Sequence, residues 1–150
     1  MGLHEFLVFT HIISAILGMG PGFMMIHVVK NAGTMTELRH AYQIRHQLHI
    51  PVMVGGTLLL ITGLWMGFLQ PHLFSQGWYG TSLFLFLLAL AGGPFVMSPR
   101  SRPIKRLLRE TEGEKIPEAY YTLARRLFFY ERIENTIFIV IIVLMILKPF

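Results

Sequence analysis

Cysteine is absent from this chain, which removes disulfides, thiolate metal sites and thiol redox chemistry together. Charge is scarce as well: 14% of the 150 residues are Asp, Glu, Lys or Arg, against 53% hydrophobic. Soluble domains carry about a quarter charged residues, so the deficit points to a surface covered by lipid. There is no Gly-rich phosphate loop, no HExxH and no Ser/His/Asp set with a visible nucleophile, and so no signature of the common nucleotide-binding, zinc-protease or serine-hydrolase chemistries. The segment 70–79 carries no charged residue at all.

What the sequence does contain is apolar runs. The clearest is Ile137-Phe138-Ile139-Val140-Ile141-Ile142-Val143-Leu144-Met145-Ile146-Leu147, without a charge or a strong polar group. Joined to the residues upstream it covers 127–147, and three further runs lie at 6–29, 50–69 and 80–97. A helix needs about 20 apolar residues to cross a bilayer. Continuous apolarity, rather than alternation, selects helices over a barrel. The expected fold is all-α: a single integral membrane domain, residues 1–150, built as a four-transmembrane-helix bundle with cytoplasmic helix extensions.

Charge orients the bundle. Of the 13 basic residues, all but Arg132 and Lys148 lie in the connections between spans 1 and 2 (Lys30, Arg39, Arg45) and between spans 3 and 4 (from Arg100 to Arg126). The positive-inside rule puts both connections in the cytoplasm and both termini outside, in a bacterial plasma membrane. The net charge of +5 is thereby explained without nucleic acid. The start Met1-Gly2-Leu3-His4-Glu5 lacks a basic n-region, which suits an uncleaved helix.

Local signals fill in the connections. Thr34-Met35-Thr36-Glu37 reads as a capping box opening a helix that runs through Ala41-Tyr42 and bends near Pro51. Pro103 suits the first turn of another helix with Ile104, Leu107 and Leu108 on its apolar side, ending at Gly113. Pro117 opens a fourth helix of about 30 residues, 45 Å at 1.5 Å per residue, with Tyr120, Leu123, Ala124 and Leu127 on one face. Gly20-Pro21-Gly22-Phe23-Met24 resembles Gly93-Pro94-Phe95-Val96-Met97, which suggests two parallel hairpin repeats.

Two packing stripes each carry a histidine. His11, Ala15, Gly18 and Gly22 share a face, with Gly18 and Gly22 as a small-xxx-small pair. On the second span His49, Met53, Gly56, Leu60, Gly63 and Gly67 form the other stripe. Trp65, His72, Trp78 and Tyr79 read as an interfacial aromatic belt.

His11 is the leading candidate for chemistry. An ionisable group inside a membrane is a functional suspect, and a neutral imidazole ligates haem or metal. The alternative is a histidine bonded to a backbone carbonyl or to Ser14. Partners at its depth are Met66 and Met145. Nearer the cytoplasm lie His27, His46 and His49 with Glu131, Arg132, Glu134 and Asn135. There His27 and His49 are candidates for paired haem ligation, and Arg45, Arg125 and Arg126 for contacts to propionates or other anions. The same carboxylates also suit pairing with the arginines. His11 and His27, about 24 Å apart along one helix, serve different sites.

The chain resembles a bacterial family of short, four-helix predicted integral membrane proteins of unassigned function. The resemblance rests on His11 with glycines following, Thr62-Gly63-Leu64, Gly77-Trp78, Pro99-x-x-x-Pro103-x-x-x-Leu107 and the closing Leu144-Met145-Ile146-Leu147-Lys148-Pro149. More distantly it resembles the copper-resistance D proteins and the four-helix protoporphyrinogen oxidase, in which a first-helix histidine at the place of His11 is associated with haem or metal handling. Residues 80–97 contain no His or Lys to act as a second ligand.

Three readings follow. The first is a haem b-binding redox protein exchanging electrons with quinone or a porphyrin-like substrate, with His11 as principal ligand and His27/His49 as an alternative pair. The second is a transport protein for metal or small ions, with Pro21 and Pro94 breaking helices around a midplane site. The third is a non-catalytic subunit or scaffold, homo-oligomeric or joined to a partner membrane subunit through its basic cytoplasmic surface, where Tyr42, Tyr120 and Tyr121 lie; that surface also suits anionic membrane lipid.

Overall fold

A computed structural model describes residues 1–150 and contains helices and turns but no strand. The helices are α1 (Leu3–Lys30), α2 (Met35–Leu69), α3 (Gly77–Gly92), α4 (Ser98–Glu110) and α5 (Glu118–Leu147), with a short 3-10 turn at Pro71–Ser75. Three helical segments are long and apolar enough to cross a membrane: Leu3–Lys30, Met35–Leu69 and Gly77–Glu110. The third joins α3 to α4. In α5 the apolar half follows a first half that carries Arg125, Arg126, Glu131, Arg132 and Glu134.

Pro94 explains the join between α3 and α4. Its ring donates no hydrogen bond and crowds the carbonyl one turn back, so the α-helical ladder fails there. The chain answers with one wider π turn over Gly93–Met97, in which Ser98 N donates to the Gly93 carbonyl. The expectation that Pro103 begins a separate helix is therefore corrected: α4 starts at Ser98 and continues α3, with Pro103 inside it. It also ends at Glu110, and Gly113 lies beyond it in left-handed backbone (φ 81°). The homologous-looking Pro21 stays within an unbroken α1, so the two Gly-Pro sites differ in backbone.

The bundle has two distinct ends. At the basic end Thr34 caps α2, and Glu37 returns a carboxylate to the backbone of Gly33 and Thr34. Arg39 donates to the carbonyls of Leu108 (2.9 Å) and Thr111 (2.5 Å), satisfying groups that the end of α4 leaves free. Met35 N donates to the Glu114 carbonyl, and Thr36 Oγ1 donates to its carboxylate at 2.7 Å. Beneath these bonds a core of Met35, Leu38, Ile104, Leu108, Tyr120 and Leu127 joins α2, α4 and α5. The opposite end holds both termini and the 3-10 turn: Trp78 N donates to the Phe150 carbonyl, and Gln70 pairs with His4.

Between the ends, α1 and α2 cross in close backbone contact. A Cβ on Gly18 would lie 2.9 Å from Gly56 N, and one on Gly55 would lie 2.6 Å from Gly18 Cα. Small residues permit this approach, as the sequence pattern implies, but the partners differ from expectation. Gly22 has open space around it, while His49 and Met53 are exposed. In its membrane-spanning half α2 buries Gly55, Gly56, Leu59, Thr62 and Gly67, so Gly56 and Gly67 of the expected stripe do face inward, while the tightest approach to α1 is made at Gly55. A second core of Met19, Leu59, Phe86, Ala89, Phe138 and Ile141 draws α3 and α5 against this pair.

Candidate functional site

The four long helices do not close fully toward the end that carries the termini. They leave a cavity of about 460 Å³ walled by α1 (His11 to Phe23), α2 (Leu59, Leu60, Gly63), α3 (Tyr79 to Phe86) and α5 (Ile141 to Ile146). The volume lies in the range of small-molecule sites, roughly 300–1,000 Å³. Fourteen of the 18 lining residues are hydrophobic, which leaves His11, Ser82 and the Tyr79 hydroxyl to orient anything bound. The lining residues Ile12, Ile16 and Ile146 are 54%, 62% and 72% exposed. They place the mouth of the cavity on the apolar flank of the bundle, between α1 and α5.

His11 is held in one tautomer. Its Nδ1 lies 2.8 Å from Thr62 Oγ1, and that oxygen lies 2.7 Å from the Leu58 carbonyl. Two oxygens so close need a proton between them, so the Thr62 hydroxyl donates to Leu58. Its lone pair then accepts from Nδ1–H. Nε2 is left unprotonated, as a hydrogen-bond acceptor or metal ligand. Gly63 makes room for the ring, since a Cβ there would lie 3.3 Å from His11 Cε1. The expected Ser14 partner is not used, because Ser14 returns its hydroxyl to the Thr10 carbonyl.

Opposite elements supply the remaining polar groups. Tyr79 is 5% exposed and donates to the Gly63 carbonyl at 2.8 Å. It therefore belongs to the interior and not to an interfacial belt. Ser82 is fully buried, lines the cavity and has no hydrogen-bond partner. Ser14, Thr62 and Thr136 all satisfy their hydroxyls on a carbonyl one turn back. Ser82 does not, and an unpaired buried hydroxyl costs about 1–3 kcal/mol.

The other expected site residues lie elsewhere. His27 and His49 are exposed, and neither lines the cavity. Arg125 and Arg126 are exposed on α5. Arg45 is engaged: it forms an ion pair with Glu131, donates to the Met25 carbonyl at 2.8 Å, and stacks near Tyr42 and Phe128. This joins α1, α2 and α5 and leaves its guanidinium committed to protein groups. Of the two methionines expected near His11, Met145 lines the cavity and Met66 does not. No group of three or more His, Cys, Asp or Glu is placed to hold a metal ion.

These residues fit haem b at one point. Nε2 of His11 would hold the iron, and the Met145 thioether shares the cavity. The two propionates find no Lys or Arg among the lining residues.

A family model described as predicted integral membrane protein (DUF2269) matches residues 5–149. The chain belongs to this family. Its membrane character agrees with the apolar helices and with a cavity that opens on their flank. No curated protein and no solved structure matches the chain.

The sequence singles out His11, and names Thr62 only as part of a family motif, without pairing the two. Thr62 sits 51 positions away, and no local pattern pairs it with His11. Ser82 was legible in principle: Tyr79, Ser82, Phe86 and Ala89 recur at helical spacing and are the buried residues of α3.

Proposed function

We propose that this protein binds an isoprenoid quinone or quinol in the His11 cavity and serves redox exchange in the membrane. The observation that carries the reading is an imidazole nitrogen free to bond at the wall of an otherwise apolar cavity that opens on the lipid-facing flank. A quinone headgroup is a flat, uncharged ring with polar oxygens at opposite ends, so it needs few polar contacts and no cation. Its isoprenoid tail leaves between Ile12, Ile16 and Ile146 into hydrocarbon.

Haem b is the second reading, favoured by Nε2 of His11 and the thioether of Met145 in the same cavity. When bound it would supply one-electron transfer, with His11 as iron ligand.

In either case α5 makes the fourth crossing through residues 127–147, and the basic end faces the cytoplasm of a bacterial plasma membrane with both termini outside. His11 and the cavity then lie in the outer half of the bilayer.

Quenching of tryptophan fluorescence by a short-tailed benzoquinol or naphthoquinol, added anaerobically to purified protein in detergent, tests the first reading. Saturable binding should weaken by about fivefold or more in His11→Ala, the loss of one hydrogen bond. No saturable binding, or affinity unchanged in the variant, defeats it. Haem-supplemented expression tests the second: a Soret band that disappears in His11→Ala would put haem in the cavity in place of quinone.

A further inference from the structure

We infer that the cavity is selective for redox state, binding the reduced, hydroxyl-bearing quinol in preference to the quinone. This rests on the quinone reading of the site. The selectivity comes from a relay of hydrogen bonds that runs in one direction only. The Leu58 carbonyl can only accept, so the Thr62 hydroxyl must donate to it. The Thr62 oxygen can then only accept from the ring, so Nδ1 of His11 keeps the proton. His11 lines the cavity, and with Nδ1 held by Thr62 the lone pair of Nε2 is the one acceptor its ring has left for a ligand. A quinol O–H donates to that lone pair. A quinone carbonyl, which has no proton to give, meets it as one acceptor against another.

Neither of the other polar groups of the cavity opposes this choice, since the Tyr79 hydroxyl gives its proton to the Gly63 carbonyl and also offers only a lone pair. Ser82 Oγ is fully buried and unpartnered, and a hydroxyl both donates and accepts. Once rotated about χ1 toward the cavity, it can bond the other ring oxygen in either redox state. Ser82 thus anchors the ring, and the His11 relay reads its oxidation state. Thr62 acts through His11 and is a positioning residue. Any preference also moves the bound couple: a tenfold tighter quinol raises its midpoint potential by ~30 mV.

The test compares a short-tailed quinol with its own quinone, titrated anaerobically into the purified full chain in detergent. The expected result is a quinol preference of about tenfold, the scale of one hydrogen bond of about 1.4 kcal/mol. In Thr62→Val, nearly isosteric but without the hydroxyl, Nδ1 is released. The ring can then carry its proton on Nε2 and donate to a carbonyl, so the preference should collapse or reverse. Thr62→Ser keeps the relay and should keep the preference. Ser82→Ala should weaken both forms by a similar factor. If neither form binds, the quinone reading itself fails. If wild type binds both forms equally, or Thr62→Val retains the full preference, the cavity reading stands and the redox-state inference is overturned.

Discussion

Gly55→Ala should be among the most damaging single-methyl additions in the molecule. The new Cβ would stand 2.6 Å from Gly18 Cα and 2.7 Å from the Ser14 carbonyl oxygen. Carbon atoms pack at about 3.5–4.0 Å, so α1 and α2 must separate by roughly 1 Å. The obstructing atoms are backbone, and no rotamer change relieves them. A gap of 0.5–1 Å forfeits about a quarter to a half of each contact's attraction, and overpacking of this kind costs about 1–3 kcal/mol. With backbone on both sides, the upper part of that range applies. The neighbouring glycine is the control. A Cβ on Gly56 meets only Leu90 Cδ2, at an ordinary 3.7 Å, so Gly56→Ala should fall within about 0.5 kcal/mol of wild type. Thermal melting in detergent, followed by helical circular dichroism, reads both. If Gly55→Ala melts with wild type, or the two variants lose equal stability, the assigned crossing point is wrong.

Three further outcomes follow from the same geometry. Glu131→Gln should destabilise by about 3–5 kcal/mol because it strands a largely buried Arg45, whereas Arg45→Met with Glu131→Leu should recover most of that loss; chemical melts of the single and double variants decide it. Hydrogen bonds from the Thr36 side chain and backbone lower the Glu114 pKa, so this carboxylate stabilises the fold above its unfolded-state pKa and loses that contribution as pH falls through the folded value; Glu114→Gln should flatten the acid limb of a stability–pH profile. In intact cells an impermeant maleimide should label Ser75→Cys and spare Glu112→Cys, both exposed positions at opposite ends of the bundle; the reverse pattern overturns the proposed orientation.

The sequence made the helices legible because apolar run length and cap chemistry are local. Thr34 and Pro117 mark their helix starts as expected, and the face of Tyr120, Ala124 and Leu127 is buried as expected. What was not legible depends on contacts between elements. Pro94 reads in sequence as a helix break, yet the chain accommodates it as a single π turn and the helix continues to Glu110. Gly22 and Gly18 look equivalent by spacing, but only Gly18 meets α2. Arg45 could serve an anion or a carboxylate by composition alone, and only the packing of α5 brings Glu131 to it. Within the site, His11 was identifiable from its depth, whereas its tautomer depends on a residue of another helix.

That dependence ties the chemistry to the packing. His11 lies seven residues before Gly18, and Thr62 seven residues after Gly55. Because α1 and α2 run antiparallel, both offsets lead from the glycine crossing toward the same end of the bundle. Each covers about 10.5 Å at 1.5 Å per residue. Seven residues is close to two full turns, so each side chain returns to the face that its glycine presents. The contact that lets the two backbones touch therefore also sets the register that aligns His11 Nδ1 with Thr62 Oγ1. A methyl group at Gly55, which is not itself a lining residue, should thus loosen the 2.8 Å bond as well as the bundle. Loss of quinol preference in a Gly55→Ala protein that remains folded at low temperature would display the link. Retention of full preference would mean that the α3 and α5 walls alone hold the imidazole in place.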